Sequence, residues 1–291
     1  MKNILLGLII MAGLYACDND DYLDNSGIER NYFAVPEGAT DEESVLRREF
    51  YDQNEVYLLF SDTLGYREVT TLSGRKEMEC ELLNLSYNMS SGSGEYTFAF
   101  RPYETLAEKR AMAEFVGNDV LKNVPKLFRP YSVLLIGNME RSDEYETEEL
   151  SVYSGMKAMA IACENVLELQ PEEKVRLKNI LVQGMVTSKL SSIPDSDFTL
   201  FYSYSQQYYG IPKNQVPTPI QSVGFLENYY YDFWKNFNSK EYDLLAYVEE
   251  IFKFSEFEFR ETYAEYPIVI KKMEEVVKVL QSYGVKIYTR N

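Results

Sequence analysis

Between Pro171 and Ser192 the chain reads PEEKVRLKNILVQGMVTSKLSS, and no other stretch constrains the fold as much. Pro171 opens a helix readily, because the N–H it lacks would be unpaired in the first turn. Glu172 and Glu173 place negative charge on the positive end of the helix dipole. Leu177, Ile180, Leu181 and Gly184 follow at a spacing of three to four, which marks one buried face. Thr187, Ser188 and Ser191 weaken the helix, and Pro194 stops it. The pattern predicts a helix over 171–192 with one side in the core.

The residues before this helix are mostly strand-like. Val56–Phe60, 66–72 and 77–89 are candidate strands, Gly65 is a turn, and Ser90-Ser91-Gly92-Ser93-Gly94 reads as a hairpin loop. Tyr96, Phe98 and Phe100 alternate with small or polar residues, as in a half-buried strand. Glu104–Lys122 fits a helix with Glu108, Lys109, Arg110 and Glu114 on its wet side. Tyr131–Gly137 is short, apolar and β-branched, the mark of a central strand. The acidic run 140–149 reads as a solvated loop. Ala158–Val166 is a candidate strand, although Met156–Ala160 would suit a helix equally.

The residues after Pro194 read as helices and aromatic stretches. Phe198–Tyr209 and Phe225–Trp234 are separated by a loop with Gly210, Pro212, Pro217 and Pro219. Ser239 caps a helix whose apolar stripe is Leu244, Leu245, Val248, Ile251 and Phe252. A last helix starts near Tyr266-Pro267. Ile268, Val269, Met273, Val276, Val277 and Leu280 line one side of it, and Lys271, Lys272, Glu274 and Lys278 the other. Gly284 ends it, and Val285–Tyr288 is extended. This order predicts an α+β fold: a small mixed sheet, N-terminal strands and a helical C-terminal half, in one domain over 46–291.

Several kinds of chemistry are excluded. The formal net charge of −17 argues against nucleic acid, whose phosphates demand Lys and Arg, and against a polybasic membrane contact. The chain has no histidine, so neither Ser154 nor Ser188 has a base with which to build a Ser-His-Asp triad. It has no G-x-S-x-G elbow, P-loop or Rossmann glycine pattern. A carboxylate pair of the glycosidase kind stays open, because acids are abundant and nothing singles out a pair. Cys80 and Cys163 could form one disulfide, although a core of this size favours buried free thiols. Without histidine they make a poor zinc site, and no cofactor is expected. The 25 Tyr and 16 Phe either build a wet binding surface or fill the core. On the first reading Tyr229, Tyr230 and Trp234 bind a peptide or a glycan.

The N-terminus carries an address. Lys2 precedes an apolar run, Ile4–Ala12 and then Leu14–Ala16, too short for a membrane span and right for a signal peptide over 1–16. Leu14-Tyr15-Ala16-Cys17 resembles a bacterial lipoprotein box, in which the cysteine carries the lipid. Acyl chains there anchor stably in the outer membrane, each buried CH2 contributing about 0.8 kcal/mol. Asp18, Asn19, Asp20 and Asp21 resemble the surface-export signal of Bacteroidetes lipoproteins. Residues 17–45 then read as a lipidated acidic tether.

The order of these elements resembles a family, the zinc-metallohydrolase-like lipoproteins associated with substrate import in Bacteroidetes. The shared features are the lipobox, the N-terminal strands, a strand like Tyr131–Gly137, the helix at 171–192, the segment Ser239–Ala246 and the closing helix at Tyr266-Pro267. The resemblance implies a zincin-like fold and partnership with a SusC-like TonB-dependent transporter and a SusD-like lipoprotein. The family's H-E-x-x-H falls on Gln183, Gly184, Met185, Val186 and Thr187, and its downstream acid on Glu241 or Asp243. In a zincin the two imidazoles share a helix face and hold zinc while the Glu activates water. Here all three chemical residues are replaced. The expectation is a non-catalytic accessory subunit of a SusCD-type nutrient importer, a pseudo-metallohydrolase that captures oligopeptide or glycan. The alternative is a surface hydrolase with carboxylate or atypical metal chemistry.

Overall fold

Two segments that lack polar alternation form the middle of the main sheet. Ser132–Ile136 (β5) and Ala158–Ala162 (β9) are buried at every position, as expected of strands covered on both faces. The computed structural model describes residues 31–71, 73–85, 96–226 and 237–288, and Phe33–Asn291 is one compact unit. In chain order its first elements are helix α1 (Glu42–Asn54) and strands β1 (Tyr57–Leu59), β2 (Thr63–Thr70), β3 (Lys76–Leu82) and β4 (Thr97–Arg101). Helix α2 (Leu106–Glu114) continues as a π turn at Phe115–Val120. Besides β5 and β9 the second half of the strand region holds β6 (Asn138–Ser142), β7 (Thr147–Glu149) and β8 (Val152–Ser154). Helices α3 (Pro171–Thr187), α4 (Thr199–Ser203), α5 (Lys240–Lys253), α6 (Glu256–Thr262) and α7 (Pro267–Ser282) follow.

The main sheet has the order β1-β5-β9-β8, with β1, β5 and β9 parallel and β8 antiparallel at the edge. The period of two divides its side chains between two cores. Val133, Leu135, Met159 and Ile161 face the helices, in one cluster with Leu181, Met185, Val248 and Val276. Leu134, Ile136, Ala158 and Ala160 face the other way, toward Leu83, Leu85, Met139 and Phe98. The architecture is thus mixed α+β, with small sheets and a helical C-terminal half.

The local sequence explains most boundaries and corrects several expectations. The tether expected through residue 45 overlaps α1. Asp41 caps that helix, accepting from Ser44 N at 2.9 Å, and Leu46, Phe50 and Asn54 are its buried residues. The helix expected over 104–122 is regular only to Glu114. Beyond it the π turn lays Gly117 on α1, where an added Cβ would stand 3.2 Å from Asn54 Nδ2. The acidic run 140–149 is not a loop but the β6–β7 hairpin. Arg141 pairs with Glu148 and lies over the Tyr96 ring, while Asp143 accepts from Tyr145 N and Glu146 N and closes the turn. The strand expected over 77–89 ends at Leu82, and the loop expected at 90–94 lies outside the described residues. Cys80 and Cys163 are free, but Cys80 is exposed rather than buried.

The organising helix α3 stops at Thr187, five residues before the expected end. Its hydroxyl donates back to Gln183 O at 3.0 Å, and Ser188 Oγ donates to Met185 O at 2.9 Å. Such bonds compete with the next helical turn. The buried face is Leu177, Leu181, Val182, Met185 and Val186, and Ile180 lies at the surface.

Candidate functional site

Helix α3 brings the positions singled out in the sequence to two different surfaces. Gly184 faces the sheet, where a Cβ would lie 2.8 Å from Met159 Cε and 3.7 Å from Val152 Cγ2. Met185 and Val186 are buried in the main core. Gln183 turns outward into a groove of about 570 Å³ between α3 and α5, which also takes in Arg176, Asn179, Glu249, Phe252 and Lys253. Thr187 reaches a second groove of about 670 Å³, where the end of α3 meets β8 and β9 beside Tyr153, Met156 and Lys157. Both volumes fall in the range of ligand sites, roughly 300–1,000 Å³. Ile180, expected in the core, lines the first of them.

The downstream acids do not join this helix. From α5 the two grooves receive Leu245 and residues further along the helix, and among the described residues neither Glu241 nor Asp243 lines them. Glu241 is exposed in the first turn of α5, and a hydrogen bond with Ser239 holds its carboxyl below the usual range. Ser239 caps α5 as expected, accepting from Tyr242 N. Zinc, which the resemblance implies, therefore does not fit these residues. Gln183 and Thr187 supply no imidazole, Gly184 supplies no carboxylate, and Asp243 is engaged elsewhere. Among the described residues no group of three or more His, Cys, Asp or Glu is placed to hold a metal ion.

Asp243 instead meets Lys272, which the sequence pattern had assigned to the wet side of α7. Lys272 is buried, with its side chain 0 % exposed against 1 % for Asp243. Nζ donates to Asp243 Oδ2 at 2.6 Å and to Ser205 Oγ at 3.0 Å. Tyr209 OH donates to the same carboxylate oxygen at 2.5 Å. The rings of Phe201, Phe225 and Tyr247 surround Nζ, with centroids at 4.4, 4.9 and 5.0 Å. Ser205 Oγ donates a hydrogen bond to Val223 O at 2.8 Å, and Tyr247 OH donates to Gly224 O at 3.0 Å. Asp243 Oδ1 is buried and finds no hydrogen-bond partner among the described residues.

The electrostatics follow from burial. Removal from water pushes the Lys272 ammonium down to about 8 and the Asp243 carboxyl up, each against the pull of the other charge. Burial also raises the Tyr209 and Tyr247 phenols, and Asp243 raises them further. A close approach makes the cluster possible. Gly224 has φ +88°, and a Cβ there would stand 2.6 Å from Ile268 Cγ2, 2.9 Å from Ser205 Oγ and 3.0 Å from Lys272 Cδ.

The aromatic stretch Phe198–Tyr209 thus supplies core. Phe198, Phe201 and Tyr202 are buried, and Phe225 from the second stretch packs edge-on against Tyr209 and Phe237. Tyr229, Tyr230 and Trp234, the expected ligand-binding residues, and Cys17, the expected lipid site, lie outside the described residues. The position of Lys272 was nevertheless legible. It falls three residues after Val269 and four before Val276, inside the apolar stripe that the structure buries. No protein-family model matches the chain, and comparison with characterised proteins and with solved structures finds no match.

Proposed function

We propose that this chain is a lipid-anchored cell-surface protein that serves as a non-catalytic accessory subunit of a SusCD-type importer. Cys17 carries the lipid. A SusC-like TonB-dependent transporter and a SusD-like lipoprotein are its partners, and it contributes to the capture of oligopeptide or glycan. One observation carries the non-catalytic part: the position of the would-be general base is Gly184, which has no side chain and faces Met159 and Val152 of the sheet. The two positions that would carry imidazoles, Gln183 and Thr187, open into two different grooves. The zincin-like kinship rests on the order of elements alone, and the groove between α3 and α5 offers Arg176, Asn179, Gln183 and Lys253 to a polar ligand.

The test is isolation of the native lipoprotein from outer membranes. Co-purification of a TonB-dependent transporter and a second lipoprotein is the expected result, and a lone protein sinks the importer reading. Metal analysis of the same preparation is expected to find no stoichiometric zinc. Loss of ligand affinity in Tyr230→Ala and Trp234→Ala chains supports capture through the second aromatic stretch, and unchanged affinity removes those residues from the site.

A further inference from the structure

The contact between α5 and α7 has the parts of a reaction as well as those of an ion pair. An amine and a carboxyl group touch inside a site closed by three aromatic rings, with Nζ 2.6 Å from Oδ2. One carboxyl oxygen is bonded twice, and the other is buried without a partner among the described residues. We propose that Lys272 and Asp243 condense to an intramolecular isopeptide bond that ties α7 covalently to the first turn of α5.

The atoms balance without a co-reactant. Moving one proton from the ammonium to the carboxylate gives a neutral amine and a neutral acid at the same total charge. The nitrogen lone pair then forms the Nζ–Cγ bond, the Cγ–Oδ1 bond breaks, and the hydroxyl leaves as water with one proton from the nitrogen. The other nitrogen proton stays as the amide N–H. Burial favours the neutral pair, since it disfavours both ions. The rings pull the other way, because a cation over an aromatic face is attracted to it. The net effect leaves the amine within reach of deprotonation near neutral pH.

The surroundings suit the product better than the ion pair. Oδ2 becomes the amide oxygen and keeps the Tyr209 hydroxyl as donor; the same donor stabilises the charge that develops there in the tetrahedral intermediate. The amide N–H keeps Ser205 Oγ as acceptor. Oδ1, the orphaned atom, is the one that departs. A buried polar atom without a partner costs about 1–3 kcal/mol, and the reaction removes it. Holding both groups in contact makes the step intramolecular, and effective molarities of roughly 10⁵ M and above apply to such well-oriented pairs. This inference stands whether or not the importer reading holds.

A tryptic map of the full-length folded protein tests it. With the bond present, trypsin does not cut after Lys272, and the peptides 241–253 and 272–278 travel as one species lighter by one water than their sum. Recovery of 241–253 as a separate peptide, with cleavage after Lys272, overturns the proposal. The Lys272→Arg chain, digested after denaturation so that its stability does not matter, is expected to release 241–253 freely; a joined species in that chain also overturns it. Tyr209→Phe removes the donor on Oδ2 and is expected to slow bond formation by about 10²-fold. An unchanged rate overturns the role given to Tyr209.

Discussion

The closing turn of α3 and the contact between α5 and α7 lie in the same core, and their chemistry is opposite. At the first, Gly184 offers only backbone, sealed on Met159 and Val152. At the second, Lys272, Asp243 and Ser205 put three polar side chains where water does not reach, and the half-buried Tyr209 adds its hydroxyl. A helix position in the register of a general base is packing, and a helix face written as solvated holds a buried charge. The difference teaches that spacing along one helix gives a direction in space, whereas chemistry depends on what the other elements bring to that direction. α3 meets aliphatic side chains of β8 and β9. α7 meets a carboxylate from α5 and a hydroxyl from the aromatic segment.

Removal of Asp243 is expected to break the second region most severely. Asp243→Ala leaves Lys272 buried without its carboxylate, and breaking a buried pair from one side costs about 3–5 kcal/mol. Urea unfolding of this chain against the wild type measures it. A loss below about 1 kcal/mol, typical of an exposed pair, contradicts the burial described here. Gly224→Ala comes next. It forces a left-handed residue with a side chain into contact with Ile268, Ser205 and Lys272, and strain plus overpacking is expected to cost about 2–4 kcal/mol. If Gly224→Ala leaves the midpoint in place, the backbone there has room that these distances deny.

The pH dependence sharpens the comparison because its sign depends on the covalent state. A free Lys272 has its folded-state value lowered to about 8 by burial, below that of the unfolded chain. Between those values the unfolded state binds more protons, so stability would rise with pH, by about 1.4 kcal/mol per unit. Burial lifts the Tyr209 and Tyr247 phenols, so above about pH 10 the unfolded chain loses tyrosine protons first and stability falls. The informative window therefore runs from about pH 8 to about pH 9.5. With Lys272 held in an amide that rise is absent, and the Cys163 thiol, raised by burial, makes the stability fall slightly instead. A rise of about 1–2 kcal/mol across the window identifies a free amine.

Much of this fold was legible because the relevant signals are local. Ser239 before an apolar stripe placed α5, Tyr266-Pro267 placed α7, and the unbroken apolar run in β5 placed the sheet centre. Boundaries set by distant contacts were not. The acidic hairpin 140–149 depends on Arg141 pairing across strands and on Met139 entering the core, neither of which a charge run declares. The Lys272 cluster joins residues far apart in sequence: Ser205, Tyr209, Asp243 and Lys272. Each of them alone is an ordinary surface type. Only the place of Lys272 within the stripe of Val269, Met273 and Val276 pointed toward a buried charge.

The smallest expected effect belongs to Gly184, and it tests whether α3 is packing and nothing more. Replacing a mid-helix glycine by alanine gains about 1 kcal/mol of helix propensity. Against this, the new Cβ would start 2.8 Å from Met159 Cε, closer than carbon atoms rest. The obstacle is the far end of an unbranched side chain with several rotatable bonds, which can swing aside at modest cost. Val152 Cγ2, at 3.7 Å, is in ordinary contact already. The two terms oppose each other, and Gly184→Ala is expected to fall within about 0.5 kcal/mol of the wild type. Gly224→Ala makes the same chemical change against Ile268 and a left-handed backbone, where no such swing is open. Equal losses at the two glycines would mean that Met159 is as fixed as the backbone around Gly224, and that the α3–sheet contact is the more rigid of the two regions.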